Sequence, residues 1–176
     1  MNVKYIFYKK SEGILLFNSR RENKIFGSMY KCNIPYNDIT FTSSEQMYKY
    51  LLFDGKPEIQ NKILKYGKYE PHAAKTIGVV HYDDAEWGER IKIFGKTLLY
   101  KTKYSKRFRE ALLNTGKKTL VELNYWDDKP GVFNCIKSTR EGVDGFYGGN
   151  MHGRILMRIR EHLLDGTFDE WCESYM

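Results

Sequence analysis

Hydrophobic positions in the first forty residues come in short runs without helical spacing. Tyr5–Tyr8 and Ile14–Phe17 are β-prone stretches separated by the turn Ser11-Glu12-Gly13, and a polar loop, Asn18–Lys24, follows. Within Ile34–Phe41, Pro35 and Asn37-Asp38 predict a second hairpin that ends at Ile39–Phe41. From Thr42 the spacing turns helical. Thr42-Ser43-Ser44-Glu45 sets hydroxyl caps ahead of Gln46–Phe53, where Met47, Tyr50, Leu51 and Leu52 recur at helix intervals. Further helices are predicted over Glu58–Tyr66, Pro71–Ile77, Asp84–Lys103 and Ser105–Asn114, with Gly67, Gly78 and Gly116 as stops. Thr119–Leu123 opens another ordered element. Asn124–Val143, broken by Pro130-Gly131 and Gly142 and nearly aperiodic, reads as a long loop. Asn150–Leu164 carries an apolar face of Ile155, Leu156, Ile159, Leu163 and Leu164 and ends at Asp165-Gly166, after which Phe168–Tyr175 is a short turn or helix. No repeat or linker divides the chain, so the pattern predicts one α+β domain over residues 1–176, mostly helical with a small sheet built from its N-terminal part.

Composition narrows the partners more than the fold. A net charge of +7 suits an anion, whether nucleotide, nucleic acid or membrane surface, without choosing among them. No stretch approaches a membrane span, and Met1 to Ser11 carries three lysines and no signal-type apolar run, so a soluble, unprocessed, cytoplasmic chain with no membrane partner is expected. Cys32, Cys135 and Cys172 are odd in number and far apart, which argues for free thiols in a reducing compartment. His72, His81, His152 and His162 are scattered, so no metal site is expected. Phosphate-loop, dinucleotide-fold and hydrolase-elbow motifs are absent, and no cofactor is expected either.

Three places carry candidate chemistry. Glu45 falls in the first turn of a predicted helix, where a carboxylate complements the dipole, and Lys49 projects from the same side one turn on; the plain account is a surface ion pair. Asp144-Gly145-Phe146-Tyr147-Gly148-Gly149-Asn150 precedes the last long helix. There the glycines allow close backbone approach, free amides favour phosphate, and Asn150 is a good N-cap. His152, Arg154, Arg158 and Arg160 add positive charge along that helix. Trp87 begins a basic stretch with Lys92, Lys96, Lys101 and Lys103, where it either packs or stacks on a base.

Together, Phe41 through Glu45 (aromatic-x-hydroxyl-x-Glu), Trp87, Leu98–Tyr104, Asp144 through Gly148, and Asn150, Gly153, Leu156, Met157 and Arg160 resemble the NADAR family of YbiA-like proteins. The likeness runs from about Tyr5 to Leu164, with Phe7-Tyr8 matching an early Phe-Tyr. A Phe-Ser-Asn-Phe segment is partly retained as Phe26-Gly27-Ser28-Met29. The family lysine seven residues after the glutamate is Leu52 here, and Lys49 is the candidate to replace it.

This resemblance implies a YbiA-like fold and an N-glycosidase for ribosyl compounds. Two substrates follow from it: ADP-ribosylated guanine in DNA or nucleotides, and ribosylaminopyrimidine phosphates of riboflavin biosynthesis. Glu45, Asp144 and Lys49 would be catalytic, with Trp87, Tyr147, Gly148, Gly149, Asn150, Ser44 and Phe7 binding substrate. An antitoxin or counter-defence role, paired with a DNA ADP-ribosyltransferase toxin, would suit the first substrate. A non-catalytic module that binds ADP-ribose or nucleic acid is the alternative from another class.

Overall fold

Strand β1 (Ile6–Lys9) finds its partner near the other end of the chain. In the computed structural model, which describes residues 3–80, 87–126 and 129–175, β1 pairs antiparallel with β7 (Val143–Gly148), and β7 pairs antiparallel with β6 (Cys135–Arg140). Strand β2 (Ile14–Phe17) runs parallel to β5 (Thr119–Glu122), and β3 (Ile34–Tyr36) forms a hairpin with β4 (Ile39–Phe41). The α+β class stands, but the sheet is not built from the N-terminal part alone, because two of its three strands come from residues 135–148.

The chain divides into two compact units. The first unites Met1–Gly27 with Glu110–Trp171, and the second unites Ser28–Arg109 with Cys172–Met176. In the first, one face of the three-stranded sheet packs Tyr8, Cys135 and Phe146 against Val121 of β5 and Leu123 just after it. Helix α6 (Met151–Leu164) packs on β5. In the second unit the β3–β4 hairpin lies on α1 (Ser44–Leu52) and α4 (Trp87–Tyr104), with Ile34, Phe41, Met47 and Tyr100 at the contact. Helices α2 (Pro57–Gly67) and α3 (Pro71–Val80) enclose Phe53, Ile63 and Ala74. Two short helices, α5 (Lys106–Leu113) and α7 (Phe168–Glu173), complete the order. Among the described residues no helix is long and apolar enough to cross a membrane.

Two expectations change. Helix α3 continues through Gly78 to Val80, since a helical glycine costs only about 1 kcal/mol and need not end an element. The expected start of the fourth helix at Asp84 lies outside the described residues. The long loop is also partly a strand, because Cys135–Arg140 is ordered by pairing along all six of its residues with β7. Its polar sequence hides this: the strand is an edge of its sheet, and its second side carries a bridge from Cys135 to Leu123.

Asn150 is the third correction. It stands at the N-cap of α6 with φ 47°, yet its side chain makes no cap bond. Instead Nδ2 donates to the Leu120 carbonyl at 2.9 Å and Oδ1 accepts from the Glu122 amide at 3.1 Å, stitching α6 to β5. Both partners are backbone groups, and Asn150 is fully buried. Asn150→Ala should therefore lower unfolding stability by about 3 kcal/mol, from two abandoned buried groups and an alanine forced to positive φ. Denaturant titration checks this, and a loss well below 1 kcal/mol would contradict it.

Candidate functional site

Polar residues are concentrated in the interior of the second unit. Helix α1 is buried over Ser44, Glu45, Gln46, Met47, Tyr48 and Lys49, so its first turns are enclosed on every side although four of these residues are polar. A buried polar group needs partners or a purpose. Ser43 caps the helix with Oγ accepting from the Gln46 amide at 3.1 Å. Gln46 is spent on the scaffold: its Oε1 accepts from Thr42 N at 2.8 Å, and its Nε2 donates to the Ile63 carbonyl at 3.2 Å.

Glu45 is placed differently. It is 7% exposed, its amide donates to the Ser28 carbonyl at 2.9 Å, and Ser28 Oγ donates to Glu45 Oε2 at 2.7 Å. Ser44 Oγ donates to the same Ser28 carbonyl at 3.0 Å. One carboxylate oxygen is thus fixed by a hydroxyl, while Oε1 has no hydrogen-bond partner among the described residues. A carboxylate held by its backbone and by one oxygen has few rotamers left and can meet a reacting atom with the other. Ser28→Ala should lower kcat about tenfold to a hundredfold with KM nearly unchanged, because the carboxylate loses its orienting donor. Steady-state kinetics with an active substrate provide the check.

Lys49 is 3% exposed, and its ammonium lies 5.0 Å from the Tyr48 ring centroid. A surface ion pair between Glu45 and Lys49 is therefore ruled out by burial. Trp87, at the start of α4, is 44% exposed, with the Arg90 guanidinium 5.1 Å from its ring centroid.

Lys101, expected only as one charge of a basic stretch, lies instead in the interior of this unit. It is completely buried, with its ammonium 4.3 Å from the Phe108 ring centroid and 5.6 Å from that of Tyr30. Burial pulls it from 10.5 down to about 8, with Cys32 acting the other way. Spacing held the clue: Lys101 follows Phe94 and Leu98 by seven and three residues, and both are buried.

In the first unit, β7 sends its side chains alternately to its two faces. Tyr147 lies opposite Phe7, and the Arg140 guanidinium sits 3.7 Å from the Tyr147 centroid and 5.7 Å from that of Phe7. Asp144 leaves the opposite face, exposed, and accepts from Thr139 Oγ1 at 2.8 Å. There it borders a cavity of about 570 Å³ together with Lys10, Tyr125, Lys137 and Phe146. The structure thus brings Tyr147 and Phe7 together and separates both from Asp144.

The glycine turn serves the chain itself. A side chain at Gly148 would strike the Asn134 carbonyl, and one at Gly149 the Val132 carbonyl. The Gly149, Met151 and His152 amides donate to the carbonyls of Gly131, Val132 and Phe133 at 2.9, 3.1 and 3.2 Å. The Gly149 amide, which the sequence offered to phosphate, is therefore already occupied, as are those of Met151 and His152 at the start of α6. Arg160 is likewise structural, donating to Thr115 Oγ1 at 2.6 Å and the Lys118 carbonyl at 2.9 Å. Among the described residues no group of three or more His, Cys, Asp or Glu is arranged to hold a metal ion.

The structure describes an α+β protein with a buried carboxylate fixed at a helix start. A NADAR domain matches residues 6–164, and the chain belongs to the NADAR family. Among solved structures it is similar to the NMR structure of the E. coli protein YbiA, with 19% identity and a TM-score of 0.65 over 94% of this chain and 95% of that one. At that identity the likeness is one of fold. No curated protein sequence matches the chain. Family membership suggests N-glycosidase-type activity.

Proposed function

We propose that the protein hydrolyses the C1′–N bond of a ribosyl group, with ADP-ribosylated guanine in DNA or nucleotides as substrate. The observation that carries this reading is Glu45, a buried carboxylate held through one oxygen by Ser28. As the C1′–N bond breaks, its electron pair leaves with the base and positive charge spreads over C1′ and the ring oxygen. A carboxylate beside that centre stabilises the charge as it develops. Water then adds to C1′, giving its proton to Glu45; the departing base nitrogen takes up a proton from solvent, and Glu45 returns its own to solvent. Guanine and ADP-ribose are the products.

Lys49 is assigned to the opened sugar: its amine attacks the C1′ aldehyde and expels water to form an imine, which hydrolysis reverses. Borohydride during turnover reduces that imine to a stable amine. Mass mapping should find the label on Lys49, and label on any other lysine, Lys101 included, would remove it from the mechanism.

Trp87 is assigned to the base, and β7 offers two alternatives: Asp144 for the ribose hydroxyls, or Tyr147, with Phe7, for the base or adenine. Asp144 and Tyr147 leave opposite faces of β7, so a substrate held on one face leaves the other residue idle. Of Asp144→Asn and Tyr147→Ala, one should raise KM about tenfold or more and the other leave it near wild type. Equal effects from the two would contradict this division.

One panel decides the substrate. ADP-ribosyl-guanine in DNA, NAD and ribosylaminopyrimidine phosphate are each scored for base release. Release of guanine alone supports the proposal, whereas release only from the pyrimidine phosphate moves the enzyme to that small-molecule reaction. Binding without any release would make the protein an ADP-ribose-binding module.

A further inference from the structure

Two loops of the first unit are tied down beside each other. Asn18 holds the loop after β2: its Nδ2 donates to the Leu123 carbonyl at 2.7 Å, and its Oδ1 accepts from the Arg20 amide at 2.8 Å. After β5, the Asn124 amide donates to the Cys135 carbonyl at 2.8 Å, and Asn124 Oδ1 accepts from the Trp126 amide at 3.0 Å. These ties present two aromatic rings, Tyr125 and Trp126, with centroids 6.1 Å apart.

Cations surround the rings. The Arg21 guanidinium lies 4.6 Å from the Tyr125 centroid and 5.5 Å from that of Trp126, with Arg20 5.6 Å from Trp126 and the Lys137 ammonium 5.8 Å from Tyr125. The Tyr125 hydroxyl is hydrogen-bonded to Glu22, which fixes the ring. Trp126 is nevertheless 58% exposed. Beside Tyr125, the cavity of about 570 Å³ is lined by Lys10, Lys137, Ser138 and Phe146. Of the acids at this place, Glu22 is engaged by Tyr125 and Asp144 by Thr139.

We infer that this aromatic and basic surface binds single-stranded nucleic acid, with a base stacked on Trp126 and backbone phosphates on Arg20, Lys10 and Lys137. Stacking on an exposed ring requires an unpaired base, and several cations around fixed rings suit a chain of phosphates better than an acidic side chain. Every base has a flat face, so the surface is expected to be tolerant of sequence. Binding is read without turnover, so the inference stands or falls apart from the chemistry assigned to Glu45.

Fluorescence anisotropy with labelled fifteen-residue oligodeoxythymidine and oligouridine tests it, with deoxythymidine monophosphate as competitor. Affinity should fall as salt rises, as neutralised phosphates require. Trp126→Ala and Lys137→Glu should each weaken binding about tenfold or more. Lys137 and Arg20 are exposed, so Lys137→Glu and Arg20→Glu also test the surface without disturbing the core. Salt-independent binding, wild-type affinity in Trp126→Ala and both charge reversals, or competition by the mononucleotide at the oligonucleotide's own concentration would overturn the inference.

Discussion

Glu45→Gln is expected to lower kcat for base release by about a thousandfold or more while the protein unfolds near the wild-type temperature. The two halves of this expectation have separate causes. Glutamine matches glutamate in shape and can still accept from Ser28 Oγ, the bond that now measures 2.7 Å, and its amide remains free to donate to the Ser28 carbonyl. The helix cap is untouched, because it belongs to Ser43. What disappears is the negative charge, together with the capacity to take a proton from water. Both matter at the transition state and neither in the resting fold, so the loss falls on kcat rather than KM. Circular dichroism melts beside single-turnover kinetics separate the two, and a stable variant with near wild-type kcat would remove Glu45 from the mechanism.

The second large effect concerns Lys101, whose complete burial holds it at about 8 rather than 10.5. Between those values the unfolded chain keeps the proton that the folded chain has released, so stability rises as pH increases through this window. Below about pH 8 both states are protonated and the full cost of burying an ammonium remains, on the order of 3 kcal/mol. The Phe108 and Tyr30 rings offset part of that cost. Lys101→Met, similar in length and without charge, should be more stable than wild type at pH 7, by up to about 3 kcal/mol. It should also lose the rise in stability between pH 8 and pH 9.5. Urea titrations at the two pH values check both, and a variant less stable at pH 7 with an unchanged pH dependence would contradict the account.

The difference between Glu45 and Lys101 also shows what a sequence reveals. Helices α1, α2, α5 and α6 were legible because caps, glycines and apolar spacing act within a few residues. Glu45 stood out as a candidate through its place at a helix start and its family motif. Its enclosure was not legible, because helix periodicity predicts one buried face and α1 is covered all round from Ser44 to Lys49. Ser28 was only a fragment of a partly retained segment, and its meaning comes from a contact seventeen residues away. Strand β6 escaped because Lys137, Ser138, Thr139 and Arg140 give no apolar alternation, and only β7 makes them a strand.

The glycine turn teaches the opposite lesson. Gly148, Gly149 and Asn150 stood out in the sequence and do matter to the structure, but for close packing against residues 131–135 and for the tie to β5. A glycine-rich helix start has the same composition whether it receives a phosphate or its own chain. Only the partners of the amides tell the two apart.

Chromatographic detection of free guanine from ADP-ribosylated single-stranded DNA, with wild type and Glu45→Gln side by side, tests the central claim most directly. The account predicts guanine and ADP-ribose in equal amounts from the wild type and about a thousandfold less from the variant. Equal release by both proteins, or none by the wild type under conditions where it is folded, would contradict it.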